Sequence, residues 1–301
     1  MKILLLGSHG QVGWELARSL VGLGDIVAFN RASADFANLE ELRQLVEHAK
    51  PDVVVNAVAY TAVDKAESER ELAFLINASA VEALAQTCKK INALLIHYST
   101  DYVFDGTHSQ PYQERDQPKT LNVYGESKLA GELAIIDSGT DYLILRTTWV
   151  FAARGTNFLN SILRLATQRE ALNIVDDQIG APTWARFIAI ATAHIIVKIQ
   201  QERALNAFQS GIYHLTSAGE TSWYGFASAI IAWARTQEAY PLKNRALNPI
   251  PTTSYPTPAK RPLNSRLSTL QLTTRFGLVM PSWEDMLTLC LADWQLLNIN
   301  Q

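Results

Sequence analysis

The sequence predicts an α/β protein built on a doubly wound parallel sheet, and three observations support this prediction. Apolar strand-like segments alternate with amphipathic segments through the first half of the chain, which is typical of a parallel sheet covered by helices on both faces. A glycine-rich segment follows the first apolar strand. Polar residues follow the later strands, as expected where strand ends form a ligand-binding edge.

The predicted elements follow this alternation up to residue 150 and become less regular after it. Strands are predicted at 2–6, 26–29, 52–56, 94–98 and 142–147, and helices at 14–23, 39–49, 67–91 and 122–137. Further on, helices are predicted at 157–168, 184–200, 221–235 and 281–297, strands at 173–175 and 212–216, a turn at 180–183, and an extended proline-rich segment at 241–262. The strand at 212–216 is expected to rejoin the sheet.

This change in regularity predicts a second, smaller α/β domain in the C-terminal half. We expect residues 1–150 plus about 181–218 to form the nucleotide-cofactor domain, and about 151–180 plus 219–301 to form the substrate domain. A chain of 301 residues is long enough for either one large core or two domains that share an interface.

Composition excludes several classes of protein. The net charge of −3 comes without a block of like charges, so we expect no nucleic-acid surface. Two cysteines, Cys88 and Cys290, cannot build a disulfide framework or a cysteine metal cluster. No apolar run is long enough to cross a membrane. We therefore expect a cytoplasmic protein that binds neither nucleic acid nor membrane.

The glycine-rich segment Gly7-Ser8-His9-Gly10-Gln11-Val12-Gly13 lies between a predicted strand and a predicted helix, which is the context of a dinucleotide site. Gly7 would permit a tight turn, Gly10 would let a pyrophosphate approach the backbone, and Gly13 would let the helix pack closely. The spacing is G-x-x-G-x-x-G instead of the commoner G-x-G-x-x-G. This segment predicts a Rossmann-type fold, with a plain strand–helix turn as the alternative.

The second strand ends at Asn30-Arg31, where an acidic residue would favour NAD by binding the ribose 2′-hydroxyl. A guanidinium at this position instead suits a 2′-phosphate, which favours NADP. The alternative, that Arg31 is a solvated loop residue, stays open. Asp35 and Phe36 follow, and an acid beside an aromatic ring could flank an adenine.

Tyr124 and Lys128 are four residues apart, so on a helix both side chains leave the same face. A nearby ammonium would lower the pKa of the phenol, and such a tyrosine can exchange a proton with a substrate oxygen. Ser99 and Thr100 follow the fourth strand and could hold a substrate carbonyl. A simple turn or helix cap is the alternative for these two hydroxyl residues.

Together these motifs resemble extended short-chain dehydrogenases/reductases, and in more detail the dTDP-4-dehydrorhamnose reductase family. The similarity covers essentially the whole chain. It is carried by the glycine-rich segment and by Thr61-Ala62-Val63-Asp64-Lys65-Ala66-Glu67, Ser99-Thr100-Asp101-Tyr102-Val103-Phe104, Asn122-Val123-Tyr124-Gly125, Lys128-Leu129-Ala130-Gly131-Glu132, Asp177-Gln178-Ile179-Gly180-Ala181-Pro182-Thr183 and Tyr255-Pro256-Thr257-Pro258-Ala259-Lys260-Arg261-Pro262.

The resemblance implies the reduction of the carbon-4 keto group of dTDP-4-dehydro-β-L-rhamnose to dTDP-L-rhamnose, with hydride from NADPH and possible use of NADH. Tyr124 would protonate the product oxygen, Lys128 would hold the cofactor ribose, and Thr100 would hydrogen-bond the ketone. With the glycine-rich loop, the expected cofactor contacts are Gly7, Gly10, Gln11, Val12, Gly13, Asn30, Arg31, Asp35, Phe36, Ala59, Tyr60, Thr61, Tyr98, Tyr124 and Lys128. The expected substrate contacts are Val63, Thr100, Asp101, Tyr102 and Trp149.

Arg261 is a further candidate, because the prolines around it stiffen the segment and guanidinium groups bind diphosphates in a fork. The alternative is that Arg261 pairs with a surface acid or caps a helix. Some relatives implied by the resemblance form magnesium-bridged dimers through glutamates. Glu15 is present, but Arg186 stands near the expected second glutamate, and a cation beside a metal is unfavourable. We therefore expect no metal, and a monomer or weak homodimer.

Two other functions stay open at this point. A nucleotide-sugar epimerase or dehydratase could use the same scaffold, although a dehydratase would need a second acid/base group beside Asp101. A non-catalytic regulatory subunit is the third reading, against which the intact Tyr124 and Lys128 pair argues.

Overall fold

The computed structural model describes residues 1–238 and 240–298. Its strands in chain order are β1 Lys2–Leu6, β2 Asp25–Phe29, β3 Val53–Asn56, β4 Leu94–Thr100, β5 Tyr142–Thr147, β6 Val150–Phe151, β7 Ala171–Val175, β8 Ile179–Gly180, β9 Thr183–Trp184, β10 Gly211–His214, β11 Thr221–Ser222 and β12 Ala246–Ile250. A six-stranded sheet has the order β10-β5-β4-β3-β1-β2, and all its pairs are parallel. The predicted parallel α/β fold is confirmed, including the return of the chain to the sheet at β10.

The helices in chain order are α1 Gln11–Ser19, α2 Leu39–Ala49, α3 Val63–Ala66, α4 Arg70–Phe74, α5 Ala80–Ile91, α6 Val123–Ser138, α7 Phe158–Ala166, α8 Ala185–Ala204, α9 Trp223–Arg235, α10 Leu270–Phe276 and α11 Trp283–Asn298. Shorter turns lie at Leu75–Ser79 (π-helical), Asp101–Val103 and Thr252–Ser254 (both 3-10). No helix in the described part of the chain is both long and apolar enough to cross a bilayer.

The sheet is buried on both faces. Helices α1 and α8 pack together over one face, while α2, α5 and α6 cover the other. The strands are apolar nearly throughout, as a sheet buried on both faces requires. Strand order reverses between β1 and β3, and ligands bind at such a switch point, beyond the carboxyl ends of the strands.

A third hydrophobic cluster is formed mainly by α7, α9 and α11, next to the parallel pair of β7 and β12. Phe187 of α8 packs against both this cluster and the one beneath α1. The division of the chain into two domains stays a prediction.

The predicted helix at 67–91 is confirmed over residues 70–91, but it begins three residues later and contains a π-helical turn. Residues 70–91 form α4, a π-helical turn and α5. In the turn, the buried Asn77 donates to the Tyr60 carbonyl and the Ser127 hydroxyl, and accepts from the Tyr60 N–H. A Cβ at Gly131 would lie 2.1 Å from the Asn77 carbonyl oxygen, so α6 packs directly on this turn. Local helical spacing carried no sign of these tertiary contacts.

Other boundaries also differ. β4 continues through Ser99 and Thr100, which the sequence placed after the strand. α1 begins at Gln11 and therefore contains Gly13. The predicted turn at 180–183 holds the ends of the short strands β8 and β9. The proline-rich segment contains β12, and α10 had not been predicted.

Candidate active site

A cavity of about 490 Å³ lies beyond the carboxyl ends of β1, β2 and β3. It is bordered by residues from all three strand ends. Among the expected cofactor contacts, it is lined by Gly7, Gly10, Asn30, Arg31, Asp35, Phe36, Ala59 and Tyr60. The others, Gln11, Val12, Gly13, Thr61, Tyr98, Tyr124 and Lys128, do not line it.

Two glycines allow the loop at this cavity to be compact. Gly7 has φ of +87°, in the left-handed region that favours glycine. A Cβ on Gly13 would lie 2.0 Å from the Gly7 carbonyl oxygen, so α1 packs onto the loop itself. Gly10 precedes the first turn of α1 and lines the cavity, where free helix N–H groups favour an anion.

Two other residues of this loop face different surroundings. The buried Oε1 atom of Gln11 has no hydrogen-bond partner among the described residues, and a bound ligand would satisfy an atom of this kind. Val12 packs against the core beneath α1, so only its backbone remains for a cofactor contact. The cavity, the compact loop and the unpartnered amide oxygen fit a bound dinucleotide.

The end of β2 supplies the next group of side chains. Asn30 lies 3.2 Å from the His9 ring through its Nδ2 atom, and its Oδ1 accepts from the Ala32 N–H. Arg31 is exposed at the rim. Asp35 is also exposed, whereas Phe36 is buried in the core with part of its surface on the cavity.

Tyr60 leads from the cavity towards α6. Its hydroxyl donates to Glu69 Oε2 at 2.6 Å, and burial together with Glu69 raises the pKa of Tyr60 to about 12. Tyr60 and Tyr124 pack against the same small apolar cluster. Ala59 and Thr61 flank Tyr60, with Thr61 exposed.

The structure brings Tyr124 and Thr100 together. Tyr124 lies in the first turn of α6, whose N-cap Asn122 accepts from the Gly125 N–H at 2.8 Å. Burial raises the pKa of Tyr124 to about 12, its hydrogen bond with Thr100 opposes this rise, and the charge of Asp101 adds to it. The phenol is therefore protonated at neutral pH.

The contacts of Lys128 differ from those that the sequence predicted for its charged group. Its Nζ donates to the Tyr98 carbonyl at 2.7 Å and lies 3.0 Å from His97 Nε2, and the side chain is buried. Burial lowers the pKa of Lys128 to about 8, although Glu132 opposes this. The prediction that Lys128 lowers the pKa of Tyr124 is wrong for this structure.

Strand alternation explains the position of Tyr98. Its hydroxyl hydrogen-bonds Thr192 of α8 at 2.7 Å, so its ring faces α8 while the neighbouring His97 faces α6. The ring is buried in that core. A cofactor contact by Tyr98 stays a prediction, and the ring is turned away from the cavity.

Asp101 is buried at the end of β4. Burial raises its pKa to about 6, and hydrogen bonds with Ser265 and Thr100 oppose the rise. Within the described part of the chain, its Oδ2 atom has no hydrogen-bond partner. The next residue, Tyr102, packs edge-on against Tyr124 with ring centroids 5.5 Å apart.

Trp149 forms an aromatic wall with a residue that the sequence did not single out. It stacks on Trp223 with centroids 3.6 Å apart and has φ of +46°, a conformation that is costly for a bulky residue. A Cβ on Gly180 would lie 2.6 Å from the indole. Gly180 therefore makes room for the ring.

Arg261 adopts the alternative that the sequence left open. Its two terminal nitrogens donate to both carboxylate oxygens of Asp64 at 3.1 and 2.8 Å, and further bonds run to Thr257 and the Ala259 carbonyl. Asp64 belongs to α3, directly after Val63. The pair is partly exposed, so a competing anion can reach it.

Arg186 lies between two carboxylates. It donates to Glu15 Oε2 at 3.0 Å and forms a second ion pair with Asp293. Both acids therefore have a cationic partner within this chain.

Several contacts at the site were missed by sequence reasoning. They are made by His97, Trp223, Ser265 and, as the partner of Arg261, Asp64. Asp64 lies within a quoted motif, and alternation along β4 places His97 on the face opposite Tyr98, so a signal existed for both. Trp223 and Ser265 are distant in sequence from their partners, and no local signal pointed to them.

Comparison with known proteins identifies the family. The family described as RmlD substrate binding domain matches residues 1–296. This chain belongs to that family. It is 56% identical to a dTDP-4-dehydrorhamnose reductase from Burkholderia thailandensis, over 97% of this chain and 99% of the relative. A dTDP-4-dehydrorhamnose reductase from Escherichia coli K12 is 49% identical, over 94% and 95%.

A solved structure is also similar over nearly its whole length. The dTDP-4-dehydrorhamnose reductase from Bacillus anthracis, in complex with NADP, has a TM-score of 0.85 and 33% identity. The similarity covers 97% of this chain and 99% of that one. The resemblance first recognised in the motifs is confirmed.

Proposed function

We propose that this chain is an NADPH-dependent oxidoreductase that reduces the carbon-4 keto group of dTDP-4-dehydro-β-L-rhamnose, forming dTDP-L-rhamnose in the last step of that synthesis. Relatives bearing this name match the chain almost end to end. The observation that carries the proposal is the Thr100–Tyr124 contact at the ligand-binding edge of the sheet. The Tyr124 hydroxyl can donate to a substrate oxygen there, and the Thr100 hydroxyl can do so by exchanging the bond that it donates to Asp101 Oδ1 at 3.2 Å.

The cofactor would lie in the cavity beyond β1, β2 and β3. The loop at Gly7–Gly13 would hold the pyrophosphate, and Asn30 and Arg31 the 2′-phosphate, with Asp35 and Phe36 towards the adenine. Ala59, Tyr60 and Thr61 would continue the contact surface towards α6. When bound, NADPH supplies the hydride that reduces the ketone, and a relative's structure in complex with NADP supports this choice. NADH is the proposed second hydride donor.

Tyr124 is the proposed acid. Its raised pKa, about 12, keeps the phenol protonated until a stronger base forms beside it. A ketone oxygen gains negative charge as it becomes an alkoxide, and the phenol can then donate its proton to that oxygen. Thr100 would donate to the same oxygen as charge develops, so it stabilises the transition state more than the ground state.

The sugar nucleotide would face the other side of this site. Trp149, stacked on Trp223, and Tyr102 would form its aromatic wall, with Val63 beside them. Asp101 has an unpartnered oxygen that a sugar hydroxyl could satisfy. Arg261 would exchange its partly exposed partner Asp64 for a diphosphate oxygen.

The competing functions make different demands on the same residues. A dehydratase needs two acid/base groups at the substrate. Asp101 is followed by Tyr102, so the next residue does not supply a second carboxylate. An epimerase would leave the cofactor unchanged after each turnover. A regulatory subunit would not need the hydroxyl of Tyr124 at all.

We further propose a cytoplasmic monomer or weak homodimer. The free, buried thiols of Cys88 and Cys290 support a reducing compartment. The pairing of Arg186 with Glu15 argues against a metal at that glutamate, because the cation occupies it.

The proposed role of Tyr124 is tested by Tyr124→Phe, which removes one oxygen and keeps the ring. We expect kcat for NADPH-dependent reduction to fall about 10²- to 10⁴-fold, the usual contribution of a positioned acid, with the Kd for NADPH unchanged. Tyr142→Phe, at the opposite end of the sheet, is the matched control and should keep full activity. A Tyr124→Phe enzyme with most of its kcat would refute the assignment.

A further inference from the structure

Behind the proposed site lies a buried chain of hydrogen bonds that no part of the mechanism above uses. The Val58 N–H donates to Asn56 Oδ1 at 3.0 Å. Asn56 Nδ2 lies 3.1 Å from His97 Nδ1, and His97 Nε2 lies 3.0 Å from Lys128 Nζ. The three side chains are at most 1% exposed, so water does not supply the missing partners.

The orientation of the Asn56 amide is fixed by the backbone. Its oxygen must face the Val58 N–H, because the alternative orientation would place two donors 3.0 Å apart. Its NH₂ group therefore faces His97 and can only donate. It follows that His97 Nδ1 accepts a hydrogen bond.

The state of His97 then follows from counting donors and acceptors. Burial holds the pKa of His97 well below its ordinary value, so the ring is neutral. A neutral imidazole has one N–H and one acceptor nitrogen. With Nδ1 accepting, the hydrogen is on Nε2 and points at Lys128 Nζ.

We propose that His97 is a positioning residue that favours the uncharged amine of Lys128 over the ammonium in the cofactor-free protein. An ammonium group has no lone pair and cannot accept from His97 Nε2–H. An amine accepts from His97 and still donates to the Tyr98 carbonyl, which is 2.7 Å away. Each hydrogen bond in the series from Val58 to the Tyr98 carbonyl has both a donor and an acceptor only when Lys128 is an amine.

The charged groups around Lys128 are compatible with this state. Glu132, one turn further along α6, favours the ammonium, but both of its oxygens are bound by Arg146 of β5 at 2.9 and 2.6 Å. Burial lowers the pKa of Lys128 to about 8. Tyr124, on the turn before, is a neutral phenol at this pH.

The consequence for the reaction rests on the proposed function. If a charged Lys128 holds the cofactor ribose, the protein must take up a proton as the cofactor binds near or above pH 8. The alkaline limb of kcat/KM for NADPH would then report the titration of Lys128, and the His97 tautomer would set its midpoint.

The tautomer is measured directly by long-range ¹H–¹⁵N NMR of the imidazole in the cofactor-free protein, with His97→Gln to assign the signals. The proposal predicts hydrogen on Nε2 and, in protein labelled at lysine Nζ, a Lys128 signal that titrates below the other lysines. Hydrogen on Nδ1, or a Lys128 that titrates with the others, would overturn it. Neither readout needs turnover, so an inactive protein would count against the proposed function alone.

Asn56→Asp should reverse the direction of the hydrogen bonds that run from Asn56 through His97 to Lys128. A carboxylate still accepts from Val58, but it now also accepts from His97, which moves the hydrogen to Nδ1 and leaves Nε2 to accept from a Lys128 ammonium. We expect the opposite tautomer, a higher Lys128 midpoint and an alkaline limb of kcat/KM moved to higher pH. Asn122→Asp, at the N-cap of α6, the helix that carries Lys128, adds an equal charge without contacting His97. A retained Nε2 hydrogen in Asn56→Asp, or a reversal in Asn122→Asp, would contradict the proposed linkage.

Discussion

Glu132 and Asp101 are both buried carboxylates near the candidate site, yet their surroundings differ. Glu132 is 1% exposed and is bound through both oxygens by the guanidinium of Arg146. Asp101 is 3% exposed, accepts from the Thr100 hydroxyl at 3.2 Å, and has one oxygen without a partner among the described residues.

The difference separates a structural acid from a candidate binding acid. A buried charge is tolerated when a counter-charge and hydrogen bonds satisfy it, and is costly otherwise. Glu132 meets this condition within the fold. Asp101 does not, and a raised pKa together with an unpartnered atom is typical of a residue reserved for a ligand.

The largest expected change in unfolding free energy comes from substitution of Glu132. Glu132→Gln leaves Arg146 buried without a counter-charge, which should cost about 3–5 kcal/mol of unfolding free energy. Urea unfolding measures this loss. Glu126→Gln on the same helix breaks the exposed pair with Arg70 and should cost less than about 1 kcal/mol. Equal losses of unfolding free energy in Glu132→Gln and Glu126→Gln would contradict the structural role of the buried Glu132.

Asp101→Asn should increase the free energy of unfolding at neutral pH, whereas Glu132→Gln should decrease it. The folded-state pKa of Asp101, about 6, lies above its ordinary value of 3.8, so the protonated acid contributes stability that is full below pH 3.8 and is lost as pH rises through 6. At pH 7 the variant should be more stable than the parent by up to about 3 kcal/mol, the equivalent of that pKa difference. The gain should vanish near pH 3.5, and sugar-nucleotide binding should weaken.

Asp105→Asn is the control for that pH dependence. Burial favours a raised pKa at Asp105, but hydrogen bonds from Thr107 and Lys119 outweigh it, and the pKa falls below its usual range. Its contribution is therefore present at pH 7 and lost on acidification, so Asp105→Asn should destabilise. A stability gain for Asp101→Asn that persists at pH 3.5 would contradict the charge-based account.

A smaller effect is expected at the exposed pair of Arg261 and Asp64. Arg261→Ala should raise KM for the sugar nucleotide more than tenfold, since a charge-assisted contact contributes about 1.5–3 kcal/mol, with KM for NADPH unchanged. Asp64→Asn frees the guanidinium and should not raise either KM. If both variants raise the sugar-nucleotide KM equally, Arg261 serves only to pair with Asp64.

Elements with strong local boundary signals were predictable residue for residue. Helix α2 is one case, because Asn38 caps its start by accepting from the Glu41 N–H and Pro51 follows its end. Strands β1 and β5 each contain a run of four consecutive apolar residues, 3–6 and 142–145. The end of β4 was missed because Ser99 and Thr100 are polar, although their backbone stays paired with β5.

The composition of the site was more predictable than its electrostatics. Spacing and motif context singled out Tyr124, Lys128 and Thr100. Spacing alone could not show that Lys128 Nζ would be taken by His97 and the Tyr98 carbonyl, because those contacts depend on how α6 packs against β4. The sign of the pKa change at Tyr124 was wrong because burial, which the spacing does not show, raises that pKa.

The most direct test of the central claim is product analysis with the purified protein, dTDP-4-dehydro-β-L-rhamnose and NADPH deuterated at the transferred position. The account predicts one NADPH oxidised per sugar and dTDP-L-rhamnose with deuterium at carbon 4. Conversion of the sugar nucleotide without net NADPH oxidation, or a product without label at carbon 4, would contradict it.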